Sequence, residues 1–520
     1  MKKRILCLLL AVFMLSGCLV ACNEGDGGDI IGGEKGDDWK NVDFGNATLT
    51  VCVSKNADEE VTFGAADKYT KGPDKPSTES VQKKVLERNK KVAEDLDITI
   101  DWQTKDLWYD KVYADVEQLV ANDAADAPDV YNNDIYALTS AMLDGFLWNV
   151  SDPGLDAKGN EVKSYFEFDN DCWYKDYMEG TSFSKDKLYM LVGDYNIDII
   201  RFAWVFFVNI NLWDAAFSKT EYGTYEEMCD YIADTEDWFY DDIITLSGIA
   251  HNDAGGSTVG KTDKNDAQIG CCFNNLGQRI FVWGSGVSVY EWTKGGKVCE
   301  PGTGTPALIA QNEITPLVQL GNKYTELYNA KGVLPVGVVK DSTTMFMDGK
   351  IVMSMAELGE MESEEMRNTK FTRGILPFPR YNRAYTDGIT TVVHDQAEID
   401  VILNNASSFG MASAFLQYVN EQSEDILNTY YEEVLKFKYN DSPGARDMID
   451  LVHDTIDSPF DSVMTAKIFG GASTATQFYA YFQQDAVANR DSTLSSTYQE
   501  IRDAVQTQLT TMLDDFNKLQ

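Results

Sequence analysis

Histidine is almost missing from this chain. Three are present in 520 residues, His251, His394 and His453, too far apart in sequence to read as a zinc site. No metal and no cofactor is expected. Basic residues are scarce too: 44 Lys and Arg against 83 Asp and Glu leave a formal net charge of −39 at pH 7. A surface this acidic repels phosphate backbones, so nucleic acid is not an expected partner. Cysteines number nine, six of them beyond Cys22, at Cys52, Cys172, Cys229, Cys271, Cys272 and Cys299. No spacing among these outlines a disulfide framework, and a chain of this size needs none, so buried free thiols are expected. Beyond the N-terminus no apolar run approaches the 18 or so residues that a membrane-spanning helix demands. Neither a G-x-S-x-G elbow nor a Ser-His-Asp order is found.

What is present begins at the first residue. Lys2, Lys3 and Arg4 precede an apolar run, 5–14, of signal-peptide length. The tetrapeptides LSGC (15–18) and LVAC (19–22) both fit the bacterial lipobox, in which the cysteine is acylated and becomes N-terminal. Cys22 is favoured because polar and glycine residues follow it, with Cys18 the alternative and plain secretion the remaining one. Residues 1–22 are thus read as a lipoprotein signal. Residues 23–45, rich in glycine and acids, cannot bury enough surface to fold and read as a flexible tether. A coil of that length holds the body roughly 25–30 Å from its anchor. The expected location is the outer face of the cell membrane, lipid-anchored.

Residues 255–262, GGSTVGKT, match the nucleotide-binding P-loop letter for letter. A P-loop needs an apolar strand running into its glycines and a helix opening at the Lys-Thr. Here His251 to Ala254 precede and Asp263 to Asp266 follow, both polar. Together with export, this makes the match a decoy, and no nucleotide is expected.

The body opens with alternating Leu49, Val51 and Val53, a strand, then Val81, Val85, Val92 and Leu96 on one face of a helix over 79–96. A strand at 98–102, a helix over 107–121 and a strand from Asp129 complete a βαβαβ unit with a parallel sheet. Ligands of such sheets sit beyond the carboxyl ends of the strands. The nearly unbroken apolar run 202–210 reads as a strand covered on both faces. Helices are expected over 224–233, 314–330, 409–419, 448–455 and 496–519, with a strand at 351–355.

Five stretches resemble, in order, segments of the family 1 extracellular solute-binding proteins of bacterial ABC importers. They are DAPDVYNNDIYALTSAMLDGFLWNVSD (126–152), KDKLYMLVGDYNIDIIRFAWVFFVNINLWDAAF (185–217), MFMDGKIVMSMAEL (345–358), FTRGILPFPRYN (371–382) and YYEEVLKFKYNDSPGARDMIDLV (430–452). The resemblance implies an α/β, two-lobed periplasmic-binding-protein-like fold of type II, each lobe a sheet flanked by helices, with the ligand cleft between. One lobe would comprise 46–198 and 377–438, the other 199–376 and 439–520. It implies a monomeric carrier, not an enzyme, that passes a small-molecule solute, by class a carbohydrate, to a membrane permease. Site residues are expected at Asn133 and Asp134 after the third strand, at Trp173 and Tyr174, and at Asp194 and Tyr195. Trp283 in a pocket-wall loop and Tyr479 in a late aromatic cluster complete the aromatic set. Glu357 stands where many sugar-binding members carry an aromatic ring; it can bond hydroxyls or an amino group but cannot stack. A non-sugar solute, and a secreted glycoside hydrolase with two carboxylates ~5–9.5 Å apart, are the rival readings.

Overall fold

The computed structural model describes residues 42–54, 79–122, 127–155, 159, 161–253, 262, 266–273, 277–334, 339–386, 388–438, 442–470 and 494–519. Both lipobox cysteines, nearly all of the tether, Tyr479 and all but Thr262 of the GGSTVGKT segment lie outside these residues. Among the described residues no helix is long and apolar enough to cross a membrane.

The first sheet is built as the alternation predicts. Strands β1 (Ala47–Ser54), β2 (Ile98–Lys105) and β3 (Val130–Asp134) run parallel, with Ala47 opposite Ile98 and Val51 opposite Val130. Helix α1 (Glu79–Leu96) turns Val81, Val85, Val92 and Leu96 inward. Helix α2 (Tyr109–Ala121) does the same with Val112 and Val116. A late strand, Glu398–Ile402 (β12), joins antiparallel to β3, so the order is β12-β3-β1-β2. Helix α3 (Ile135–Leu143) starts directly from β3 because the Asp134 carboxylate accepts from the Ala137 amide at 2.9 Å, an N-cap.

The second sheet has five strands in the order β11-β4-β10-β5-β9. Its central strand is β10 (Ile351–Glu357); beside it β4 (Trp204–Asn209), all six residues buried, runs antiparallel both to β10 and to the edge strand β11 (Arg373–Pro377). On the far side of β10 lie β5 (Ile269–Cys272) and β9 (Val333–Leu334), parallel to one another. Helix α4 (Tyr225–Thr235) opens with a reciprocal capping box of Thr224 and Glu227. A small antiparallel sheet, β6 (Tyr290–Lys294), β7 (Lys297–Val298) and β8 (Thr305–Leu308), has no counterpart in the sequence reading.

Helix Tyr240–Ala250 precedes the GGSTVGKT segment and β5 follows it. That is the reverse of the strand-to-helix order a P-loop requires. His251 Nε2 lies 2.7 Å from Asp266 Oδ2, and Asn252 pairs with Gln268, so the segment's two ends are fastened together.

The chain passes from the first sheet to the second before β4 and returns between β11 and β12. These passages lie side by side: Trp204 N–H donates to Val392 at 3.0 Å, and His394 N–H to Phe202 at 2.9 Å. Residues just after the helix Pro443–Asp454 join them, since Thr391 N–H donates to the Thr455 carbonyl at 2.8 Å. Where the three strands of chain meet, the molecule has its hinge.

Candidate functional site

At this hinge the ends of both sheets come together around one imidazole. Glu357 closes β10, and its Oε1 is 2.9 Å from His394 Nδ1; Asp395 Oδ1 is 3.3 Å from Nε2. Arg279 reaches Asp395 at 3.4 Å. From the other side Lys467 donates to the Ser140 hydroxyl at 2.8 Å and sits 3.6 Å from the centre of the Tyr136 ring. Burial pushes Lys467 down to about 8, opposed by Asp134 and Asp395. Burial likewise pushes Asp134 up to about 7; its bond from the Ala137 amide opposes this, Asp395 adds to it, and His394 and Lys467 oppose it. For His394 burial alone would favour the neutral ring, but Glu357 first, then Asp395 and Asp134, more than offset it and hold the pKa above the ordinary value. Three carboxylates and three basic side chains therefore balance one another where the lobes meet.

A cavity of about 630 Å³ adjoins this cluster. Helix α5 (Gly277–Trp283) links the two, because Arg279 and Trp283 are four residues apart and share a face. Trp283, Tyr290 and Tyr385 line the cavity, Tyr177 enters from the first lobe, and 390–393 of the crossing segment form part of the wall. Tyr385 is stacked on Tyr381 with centroids 5.7 Å apart. Gly286 holds the Trp283 turn against this pair: its φ is +72°, and a Cβ there would come within 2.5 Å of the Tyr385 carbonyl. The Trp283 indole N–H and the Tyr177 hydroxyl, both buried, have no hydrogen-bond partner among the described residues.

Of the residues singled out from sequence, Asp134 and Glu357 meet in the ion cluster and Trp283 lines the cavity. Asn133 sits next to Asp134, buried, its side-chain Oδ1 accepting from the Asp134 amide at 2.9 Å. Trp173 is 5% exposed, donates from its indole to Gln417 at 2.9 Å and packs edge-on against Phe166 and Phe168. Tyr195 is 1% exposed, with the Arg88 guanidinium 4.8 Å above its ring. Both rings are engaged in the core of their own lobe. The Tyr174 hydroxyl is 3.3 Å from His453 Nε2. Burial raises the acid of half-buried Asp194 to about 7, with Glu424 and Asp171 adding to it. Sequence reasoning passed over His394, Arg279, Lys467 and Tyr177, which carry no motif and meet only through the crossing of the chain.

No family model matches the chain, and no curated protein matches it in sequence. Solved structures do match. The galacto-N-biose/lacto-N-biose I-binding protein of an ABC transporter from Bifidobacterium longum covers 91% of this chain and 99% of its own, at 14% identity and a TM-score of 0.53. The chain has the two-lobed fold of the extracellular solute-binding proteins. The maltose-binding periplasmic protein of Listeria monocytogenes, solved with maltose, agrees over 89% of this chain and 98% of its own, at 14% identity and a TM-score of 0.51. A family 1 extracellular solute-binding protein from Bifidobacterium longum subsp. infantis covers 90% of this chain and 100% of its own, at 15% identity and a TM-score of 0.50.

Proposed function

We propose that this chain is the lipid-anchored, extracellular substrate-binding component of an ABC importer, which clasps a carbohydrate between its lobes and hands it to a membrane permease. The supporting observation is the cavity at the hinge, with Trp283, Tyr290 and Tyr385 on its wall and polar groups among them. Aromatic faces cover the C–H faces of a sugar while fixed polar groups replace its water. The structural neighbours named for binding lacto-N-biose and maltose favour the same class. We assign 46–198 with 377–438 to one lobe and 199–376 with 439–520 to the other, the protein acting as a monomer.

A thermal-shift screen across a broad glycan panel tests the carrier role. A sugar that binds only the folded form raises stability by about 2.7 kcal/mol at a hundred times its Kd, a clear upward shift in Tm. A panel in which amino acids or peptides shift the melt and no glycan does would move the proposal to another solute. The anchor is tested by mass spectrometry of the mature N-terminal peptide, expected to begin at an acylated Cys22. Unmodified Cys18 and Cys22 together would remove it.

A further inference from the structure

The hinge cavity has carboxylates on its wall and no base to meet them. Asp457, Asp461 and Glu291 line it, and its described lining residues include no Lys, Arg or His. Asp457 and Glu291 are exposed at its edges, whereas Asp461 is set into the wall. Only the Ser288 hydroxyl reaches Asp461 Oδ1, at 3.3 Å, and no described cation lies within ion-pair distance. Burial pushes the Asp461 acid up to about 6, and Asp457, four residues earlier, adds to this; the Ser288 bond opposes it. The bases of the ion cluster next door, by contrast, are engaged with that cluster's own carboxylates.

The rest of the wall narrows what could supply the missing charge. Tyr290 and Trp292 pack edge-on against Phe460 at 5.6 and 5.0 Å, and with Trp283 and Tyr385 they give the cavity aromatic surfaces. Rings of this kind attract a cation through their faces as well as covering apolar surface. Tyr177 is 3% exposed and, among the described residues, neither its hydroxyl nor the Trp283 N–H has a partner. Two donors ask for acceptors, which sugar hydroxyls provide and a bare polyamine does not. We infer that the cavity takes an amino sugar, its protonated amine against Asp461 and Asp457 and its ring over the aromatic wall, in preference to the neutral sugar of the same size. This names the solute of the carrier proposed above and rests on that reading. A neutral sugar entering the same space would strip water from Asp461 without supplying a charge, which is the costly arrangement for a buried carboxylate.

Calorimetry with glucosamine oligomers, their N-acetylated counterparts and spermidine, all at pH 6.5, where Asp461 is mostly ionised and the sugar amine carries a proton, tests the inference. The amine-bearing oligomer is expected to bind at least tenfold tighter than its acetylated twin, and Asp461→Asn to abolish that preference while leaving the acetylated form within about twofold. Should Asp461→Asn fail to fold, the wild type decides by pH. Amine affinity is expected to fall several-fold from pH 6.5 to 5 as Asp461 takes up its proton while the amine stays protonated, the acetylated form changing little. The titratable groups lining the cavity with Asp461 are Asp457, Glu291, Tyr177, Tyr290, Tyr385 and Cys299. Acetylated oligomers that bind as tightly as the amines overturn this inference and leave the carbohydrate carrier standing. Spermidine as the tightest ligand, or no glycan of either kind binding, overturns both.

Discussion

Trp283→Ala weakens solute binding roughly 10- to 100-fold, by calorimetry with whichever glycan the screen identifies. Trp283 is the one residue picked from sequence as an aromatic wall that the structure places on the hinge cavity. Truncation to Ala removes an aromatic face worth about 1–3 kcal/mol in buried area and ring contact. Its indole N–H has no partner in the free protein, so Trp283→Phe separates two contributions. A loss of less than about threefold in the Phe variant assigns the effect to the ring, and a loss approaching that of Ala assigns it to a hydrogen bond made to the solute. Unchanged affinity in Trp283→Ala would remove this cavity as the binding site.

The second large effect is on stability and depends on pH. His394 is 7% exposed and holds Glu357 and Asp395 on opposite sides of its ring, with Asp134, Arg279 and Lys467 around them and Glu360 behind Glu357. Its pKa is raised in the folded protein. A base whose folded pKa exceeds the unfolded value of about 6.5 stabilises fully below that value, and the gain is lost as pH rises through the folded pKa. His394→Gln therefore lowers Tm most near pH 6, by a loss of roughly 1.5–3 kcal/mol for hydrogen bonds to charged groups. The deficit narrows toward pH 9, where the neutral ring retains only one N–H to donate. A deficit that is flat or grows with pH would show that the imidazole is not held as a cation between the two lobes.

The elements legible in the sequence were those with a regular period over many residues. Helix α1 matches the predicted span 79–96, and the run around Phe206 became a strand of the second sheet with all six residues buried. Short strands escaped. The four residues of β5 and the hairpin from Tyr290 are too brief for a period to show. Trp283 was legible because FVWGSGV (281–287) stands where the resembled family has a pocket-wall loop, although the ring sits on the last residue of a helix. Trp173 and Tyr195 show the opposite outcome, since an aromatic side chain looks the same in sequence whether it stacks on a sugar or on Phe166. The cluster at His394 was beyond reach for a different reason. Glu357, Asp395, Arg279 and Lys467 come from four separate stretches, and only the side-by-side passage of the chain between sheets brings them within 4 Å of their partners or against one another electrostatically.

Titration calorimetry of the full panel of neutral and aminated glycans into the wild-type protein tests the central claim most directly, because heat separates binding from turnover. The account predicts that one glycan class gives heat that saturates at one molecule per protein and then stops, with the glycan recovered unchanged. Heat that continues steadily after saturation, accompanied by shorter products, would contradict it.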